Sequence, residues 1–141
     1  MRAYISGALN NVPDLAAART LYEALAAACV AAGCEAYVPH QHADPQRDPA
    51  MPNREVTRRD LAAIEAADLV VAHVGEPSLG VGAEIAMALH WGKRILALAH
   101  EDQRVSRFVL GLLEMHPDQA VVFRYRAIDQ AHAWITEQLG G

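Results

Sequence analysis

The chain has 141 residues, 52% of them hydrophobic and 21% charged, with a formal net charge of −5. That length suits one domain spanning residues 1–141 with a proper core. The acidic balance excludes a broad nucleic-acid surface, which needs clustered Lys and Arg, but it leaves room for a small phosphorylated ligand held in a local nest of amides.

Residues 3–6, Ala-Tyr-Ile-Ser, read as a first strand ended by Gly7. Because Met1-Arg2 leads straight into this segment, no signal peptide is expected. Pro13-Asp14 is a helix start, and apolar residues keep helical spacing over 15–32 until Gly33 closes the helix. Residues 35–38 form a short second strand. The stretch 39–52 is a polar loop with four prolines (Pro39, Pro45, Pro49, Pro52) and two histidines. A loop of that length in a compact domain is usually functional or mobile. Asn53 is expected to cap a helix running to about Ala66, with Glu55 and Arg59 at ion-pair spacing. Residues 68–74 form a third strand. The segment 76–84, Glu-Pro-Ser-Leu-Gly-Val-Gly-Ala-Glu, is a glycine-rich turn, and Glu84 opens the next helix. Gly92 ends that helix, 94–99 is a fourth strand, 105–114 a helix, 120–123 a fifth strand and 127–139 a last helix.

This alternation of uniformly apolar strands with helices predicts a flavodoxin-like, doubly wound, five-stranded parallel sheet of order 2-1-3-4-5. Its ligand crevice lies at the carboxyl ends of strands 1 and 3, where the winding reverses. Ser6 and Gly7 follow strand 1, while Gly80 and Gly82 follow strand 3, so all four are expected against the ligand. No apolar run is long enough to span a bilayer. Cys29 and Cys34 fit no metal or redox spacing and read as free buried thiols, in keeping with a cytoplasmic setting.

Glu84, at a helix start, is expected to stay ionised in the dipole field, as a nucleophile on an electron-poor sugar carbon must. The competing reading is a glutamate that only complements the dipole; Gly80 and Gly82 favour function, since a surface cap needs no close backbone approach. Asp60 lies near the edge of the buried face marked by Leu61, Ile64 and Ala67. It is either a solvated acid or a second carboxyl in the crevice. Paired carboxyls have pKa values pushed apart, which suits one nucleophile and one proton donor. Tyr4 is either core packing or a hydroxyl that orients Glu84. Ser78 and Ser106 are phosphate donors or caps. His40 and His42 could touch a ligand, but with no third ligand nearby they do not make a metal site. His73 reads as a core-edge residue, and His90 and His132 as helix-surface residues. Gly80-x-Gly82 follows the wrong strand and lacks the third glycine of a dinucleotide fingerprint, and no Gly-Lys-Ser/Thr is present.

Tyr4-Ile-Ser-Gly7, Arg59-Asp60-Leu61, Ala67-Asp68-Leu-Val-Val, Pro77-Ser-Leu-Gly-Val-Gly-Ala-Glu84 and Gly92-Lys-Arg-Ile-Leu96 resemble, in order, the nucleoside 2-deoxyribosyltransferase superfamily. The Ser-Leu-Gly-Val-Gly-x-Glu form resembles its 2′-deoxynucleoside 5′-phosphate N-hydrolase branch and the cytidylate N-glycosidases. The resemblance implies that Glu84 attacks the anomeric carbon, Asp60 helps protonate the departing base, Tyr4 holds Glu84 and Ser78 binds phosphate. It places His40 near the pocket. It also implies a homodimer in which Ser106 reaches the neighbour's ligand. The substrate would be a nucleoside or nucleotide, with no metal or redox cofactor required. The alternatives are base exchange by the same double displacement and a non-catalytic nucleotide-binding module. One departure stands out. The hydrolases follow the glycine matching Gly7 with a serine and, shortly after, an arginine, whereas this chain has Ala8-Leu9-Asn10-Asn11.

Overall fold

The computed structural model describes residues 1–44 and 47–140, so Pro45 of the proline-rich loop lies outside the described residues. Five strands, β1 (Arg2–Ser6), β2 (Glu35–Tyr37), β3 (Leu69–His73), β4 (Arg94–His100) and β5 (Ala120–Tyr125), alternate with five helices, α1 (Leu15–Ala31), α2 (Asn53–Ala66), α3 (Leu79–His90), α4 (Arg107–Glu114) and α5 (Ile128–Gln138). All strand pairs are parallel and the order is β2-β1-β3-β4-β5. This is the flavodoxin-like doubly wound sheet that the alternation of elements predicts. Among the described residues, no helix is long and apolar enough to cross a membrane.

Side chains alternate across a strand, so each strand feeds two cores. Ala3 and Ile5 of β1 and Leu69 and Val71 of β3 face α1 and α5, where Leu25, Ala28, Ala131 and Ile135 meet them. Tyr4, Val70, Ala72, Ile95 and Ala97 face the other side, against Ile64 of α2, Ile85, Ala88 and Leu89 of α3 and Leu113 of α4. Each fully buried Ile or Leu contributes about 1.5–3 kcal/mol. Both faces of β3 are covered, and all five of its residues are buried. That explains the apolar run over 69–72. Cys29 and Cys34 are free and buried in the first core, as the sequence suggests.

Three local features differ from expectation. Asn53 does not cap α2; it is the first helical residue, Pro52 holds the N-cap position and no side chain caps that end. The first turn is instead tied by Glu55, which accepts from Arg58 and Arg59. The loop after β2 begins with a single 3-10 turn over Pro39–Gln41. The third difference bears on function: α3 begins at Leu79, five residues before Glu84. Ser78 takes the N-cap, its Oγ accepting from the Val81 amide at 3.1 Å. Gly80 and Gly82 are therefore helical residues, and Glu84 lies in the second turn rather than at the helix start.

Candidate active site

β1 supplies the floor of the site. Tyr4 is at the strand's centre, and Ser6 is two residues on. Two-residue spacing puts both on the face covered by α3. On α3, Glu84 shares the inward stripe with Val81, Ile85 and Ala88, the helical neighbours at i−3, i+1 and i+4. The Tyr4 hydroxyl donates to Glu84 Oε2, and the Ser6 hydroxyl donates to Glu84 Oε1 at 2.9 Å. Both donors are fully buried. Ser6, expected against substrate, is thus turned to the glutamate.

Burial pushes the Glu84 carboxyl up from its ordinary 4.5 to about 7; the Tyr4 and Ser6 hydrogen bonds pull it back, and the nearby Asp60 charge raises it further. The expectation of a carboxylate kept ionised by the helix dipole is corrected here. The dipole acts mainly in the first turn, and Glu84 lies beyond it in a desolvated position. Burial likewise raises Tyr4, and the Glu84 charge adds to that, so Tyr4 remains a protonated donor.

Asp60 sits one helical turn before Ile64, on the inward stripe of α2. It lines the same cavity as Glu84, and burial raises it from 3.8 to about 6. Its Oδ1 is buried and has no hydrogen-bond partner among the described residues. An unpartnered buried carboxyl oxygen is costly unless a ligand satisfies it. Of the two readings of Asp60, the structure selects the carboxyl in the crevice.

The cavity measures about 1190 Å³. Gly7, Leu9, Asn10 and Asn11 after β1 form one wall, α2 from Val56 to Ile64 another, and Glu76 to Met87 a third; Arg104 to Val109 close it. It occupies the carboxyl ends of β1 and β3, where the winding reverses. Gly80 and Gly82 both line it, and a Cβ at Gly82 would meet nothing within 4 Å. Gly7 also lines it, but its missing side chain makes room for something else: a Cβ there would stand 2.3 Å from the Tyr22 ring. Tyr22 in turn donates to the Ala8 carbonyl at 2.7 Å and fixes the turn.

Ser78 and Ser106 both cap helices, and both line the cavity. Ser106 Oγ accepts from the Val109 amide at 3.3 Å. An accepting hydroxyl keeps its own proton to donate. His40 is not brought to the site. It is buried, its Nε2 lies 2.9 Å from Glu23 Oε1, and it is absent from the cavity wall. His42 stacks on Tyr37, with ring centroids 4.3 Å apart. His73 is buried more deeply than a core-edge residue, with Nε2 2.8 Å from the Tyr125 hydroxyl, and burial lowers it to about 4.

Glu76, Arg104 and Arg107 also line the cavity and were not picked out from the sequence. Glu76 accepts from Gln103 Nε2 at 3.1 Å, and Gln103 Oε1 accepts from the His100 amide at 2.9 Å. Gln103 occupies the space a side chain on Gly75 would need, at 1.9 Å from the Cβ position. Gly75 was the available sequence signal, since a glycine ending a buried strand marks a close approach.

The doubly wound sheet thus carries two buried carboxyl groups, Asp60 and Glu84, in one cavity at its switch point. The comparisons identify the family. A model of the nucleoside 2-deoxyribosyltransferase family matches residues 4–136, and the chain belongs to that family. It is 54% identical over 44 residues to a 5-hydroxymethyl-dUMP N-hydrolase of Branchiostoma floridae, a match covering 31% of this chain and 42% of that one. Matches to three curated relatives span 45%, 42% and 66% of those relatives' lengths. Among solved structures, a CMP N-glycosidase of Clostridium botulinum superposes with a TM-score of 0.73 at 21% identity, covering 98% of this chain and 99% of that one. A 2-deoxyribosyltransferase of Bacillus psychrosaccharolyticus superposes with a TM-score of 0.69 at 15% identity, over 99% and 96% of the two chains. These two likenesses establish the shared fold.

Proposed function

We propose that this protein hydrolyses the N-glycosidic bond of a (2′-deoxy)nucleoside or its 5′-monophosphate through a glycosyl ester on Glu84. The observation that carries this reading is a desolvated glutamate held at both oxygens by Tyr4 and Ser6, lining one cavity with Asp60. The ionised Glu84 attacks the anomeric carbon as the C–N bond breaks through an oxocarbenium-like transition state. The bond's electron pair leaves with the base, and protonated Asp60 supplies the proton that neutralises it. Deprotonated Asp60 then takes a proton from water, whose oxygen attacks the anomeric carbon as the bond from that carbon to Glu84 breaks, freeing the sugar and restoring the Glu84 carboxylate. Tyr4 and Ser6 fix the carboxylate's orientation and stabilise its charge before the ester forms and again as the ester breaks.

Ser78, with its free hydroxyl proton at the N-terminus of α3, is assigned to a 5′-phosphate or 5′-hydroxyl. A homodimer is part of this reading. Leu79 is 96% exposed and Phe108 80% exposed at the cavity rim, and a second copy covering them would bring its Ser106 toward this site. The two free thiols fit a reducing compartment, the cytoplasm.

A panel of nucleosides and their monophosphates, scored chromatographically for free base, tests the proposal. Base release abolished by Glu84→Gln supports it. Binding with no release from any substrate makes the chain a nucleotide-binding module. A new nucleoside formed when a second free base is added makes it a transferase.

A further inference from the structure

Three acids line the cavity, Asp60, Glu76 and Glu84, and the glycosidic chemistry leaves Glu76 unused. A dedicated set of contacts places it. Gly75 has no side chain, and Gln103 enters the space that one would fill. Gln103 is fixed there twice: its Oε1 accepts from the His100 amide at 2.9 Å, and its carbonyl accepts from Arg124 Nη1 at 2.6 Å. Its Nε2 then donates to Glu76 Oε1 at 3.1 Å. The turn after β4 thus holds the Glu76 carboxylate by one oxygen. Among the described residues the other oxygen, Oε2, has no hydrogen-bond or ion-pair partner, although Arg104 and Arg107 line the same cavity.

A carboxylate accepts hydrogen bonds and cannot donate them. The ligand group that meets Oε2 therefore carries a proton, as a hydroxyl or an amine does. Position narrows the choice. Glu76 lies two residues before Ser78 on the turn after β3, on a different wall from Asp60, where the base departs. Burial and then the Glu76 charge push the Tyr22 hydroxyl up to about 12, so the carboxylate stands toward the strand-1 turn that Tyr22 holds. The amines of a nucleoside are on its base; at the sugar end the donors are hydroxyls. The competing reading is a glutamate that only braces Gln103 or complements the α3 dipole. A brace uses one oxygen, the dipole acts within the first turn, and Glu76 precedes the Ser78 cap. Neither role uses Oε2.

Resting on the glycosidase reading, we propose that Glu76 binds a hydroxyl of the substrate's sugar through Oε2 and so selects among sugars that differ at that hydroxyl.

The test compares substrates that differ by one hydroxyl. Adenosine, cytidine, guanosine and uridine are assayed as nucleosides and as 5′-monophosphates, beside their 2′-deoxy and 3′-deoxy forms, and the nucleosides also beside their 5′-deoxy forms. Removing the hydroxyl that Glu76 holds is expected to lower kcat/KM about 10- to 100-fold more in wild type than in Glu76→Ala, while removing either of the others has the same effect in both proteins. Comparing one substrate pair in two proteins cancels the intrinsic lability of the glycosidic bond. Glu76→Gln, which keeps a carbonyl for Gln103, recovers only part of the discrimination. A role confined to bracing Gln103 changes kcat/KM by the same factor for every substrate, and that result overturns the proposal. In a second arm, calorimetry measures binding of the same compounds to Glu84→Gln and to Glu84→Gln/Glu76→Ala, without turnover. Loss of one hydroxyl that weakens binding only where Glu76 is present upholds the subsite even if no compound releases base with wild type, an outcome that refutes the glycosidase reading alone. Equal dependence on every hydroxyl with and without Glu76, or no binding by any compound, overturns the proposal.

Discussion

Removing one oxygen from Tyr4 tests how Glu84 is tuned. Tyr4→Phe keeps the ring that stacks on Tyr37, with centroids 5.7 Å apart, and deletes only the hydroxyl that donates to Glu84 Oε2. That bond favours the ionised carboxylate, so its loss moves Glu84 upward from about 7. A hydrogen bond to a charged group is worth about 1.5–3 kcal/mol, which at about 1.4 kcal/mol per pKa unit is a rise of about 1–2 units. Midway between the values of Asp60 and Glu84, near pH 6.5, the ionised share of Glu84 then drops from roughly a quarter to a few per cent or less, and kcat/KM falls about 10- to 80-fold. The deficit shrinks as pH rises, because alkali ionises Glu84 in both proteins. The assay is kcat/KM for base release between about pH 5 and about pH 9. A loss equal at every pH, or no loss near pH 6.5, refutes the argument that Tyr4 acts by stabilising the Glu84 anion.

The wild-type profile is expected to be bell-shaped with limbs near 6 and 7, since the working form carries one proton on the Asp60–Glu84 pair. Asp60→Asn removes the falling limb, lowers the rate about 100-fold or more and moves the rising limb up from near 6 toward the Glu84 value of about 7, since Glu84 alone then titrates; a bell that persists would refute Asp60 as the proton donor. Glu84→Gln is expected to raise the melting temperature above neutral pH while abolishing base release. The folded pKa of Glu84 lies above its ordinary 4.5, so the stability linked to its proton is full below 4.5 and is lost as pH rises through about 7, about 3 kcal/mol in all. An equal or lower melting temperature at alkaline pH contradicts that linkage. Gly7→Ala forces a Cβ to within 2.3 Å of the Tyr22 ring and is expected to cost about 1–3 kcal/mol, a melting-temperature drop of several degrees by calorimetry. An unchanged melting temperature would show that the β1 turn yields freely.

The sheet order was legible because buried parallel strands leave apolar runs and the helices between them leave 3.6-residue spacing. The pairing of Glu84 with Tyr4 was legible as one of two alternatives, and strand parity, with Ser6 two residues beyond Tyr4, was the overlooked signal for the second donor. The start of α3 was misplaced because glycines signal turns. Ser78 nevertheless caps the helix six residues before the glutamate, and packing of Val81 and Ile85 into the core offsets the poor propensity of Gly80 and Gly82. That shift altered the electrostatics, from a dipole-stabilised anion to a desolvated acid near neutrality. Glu76, Arg104 and Arg107 were invisible for a different reason: nothing in local spacing tells which exposed charges a tertiary cavity will gather.

The ester on Glu84 is the central claim, and acid-quenched mass spectrometry addresses it directly. During turnover of the best substrate in the panel, quenching within the first turnovers and digesting the protein should yield the peptide containing Glu84 with the mass of the sugar moiety added. Glu84→Gln should show neither adduct nor base release. Free base released at full rate by the Glu84→Gln variant, or an adduct on any other residue, would contradict the account.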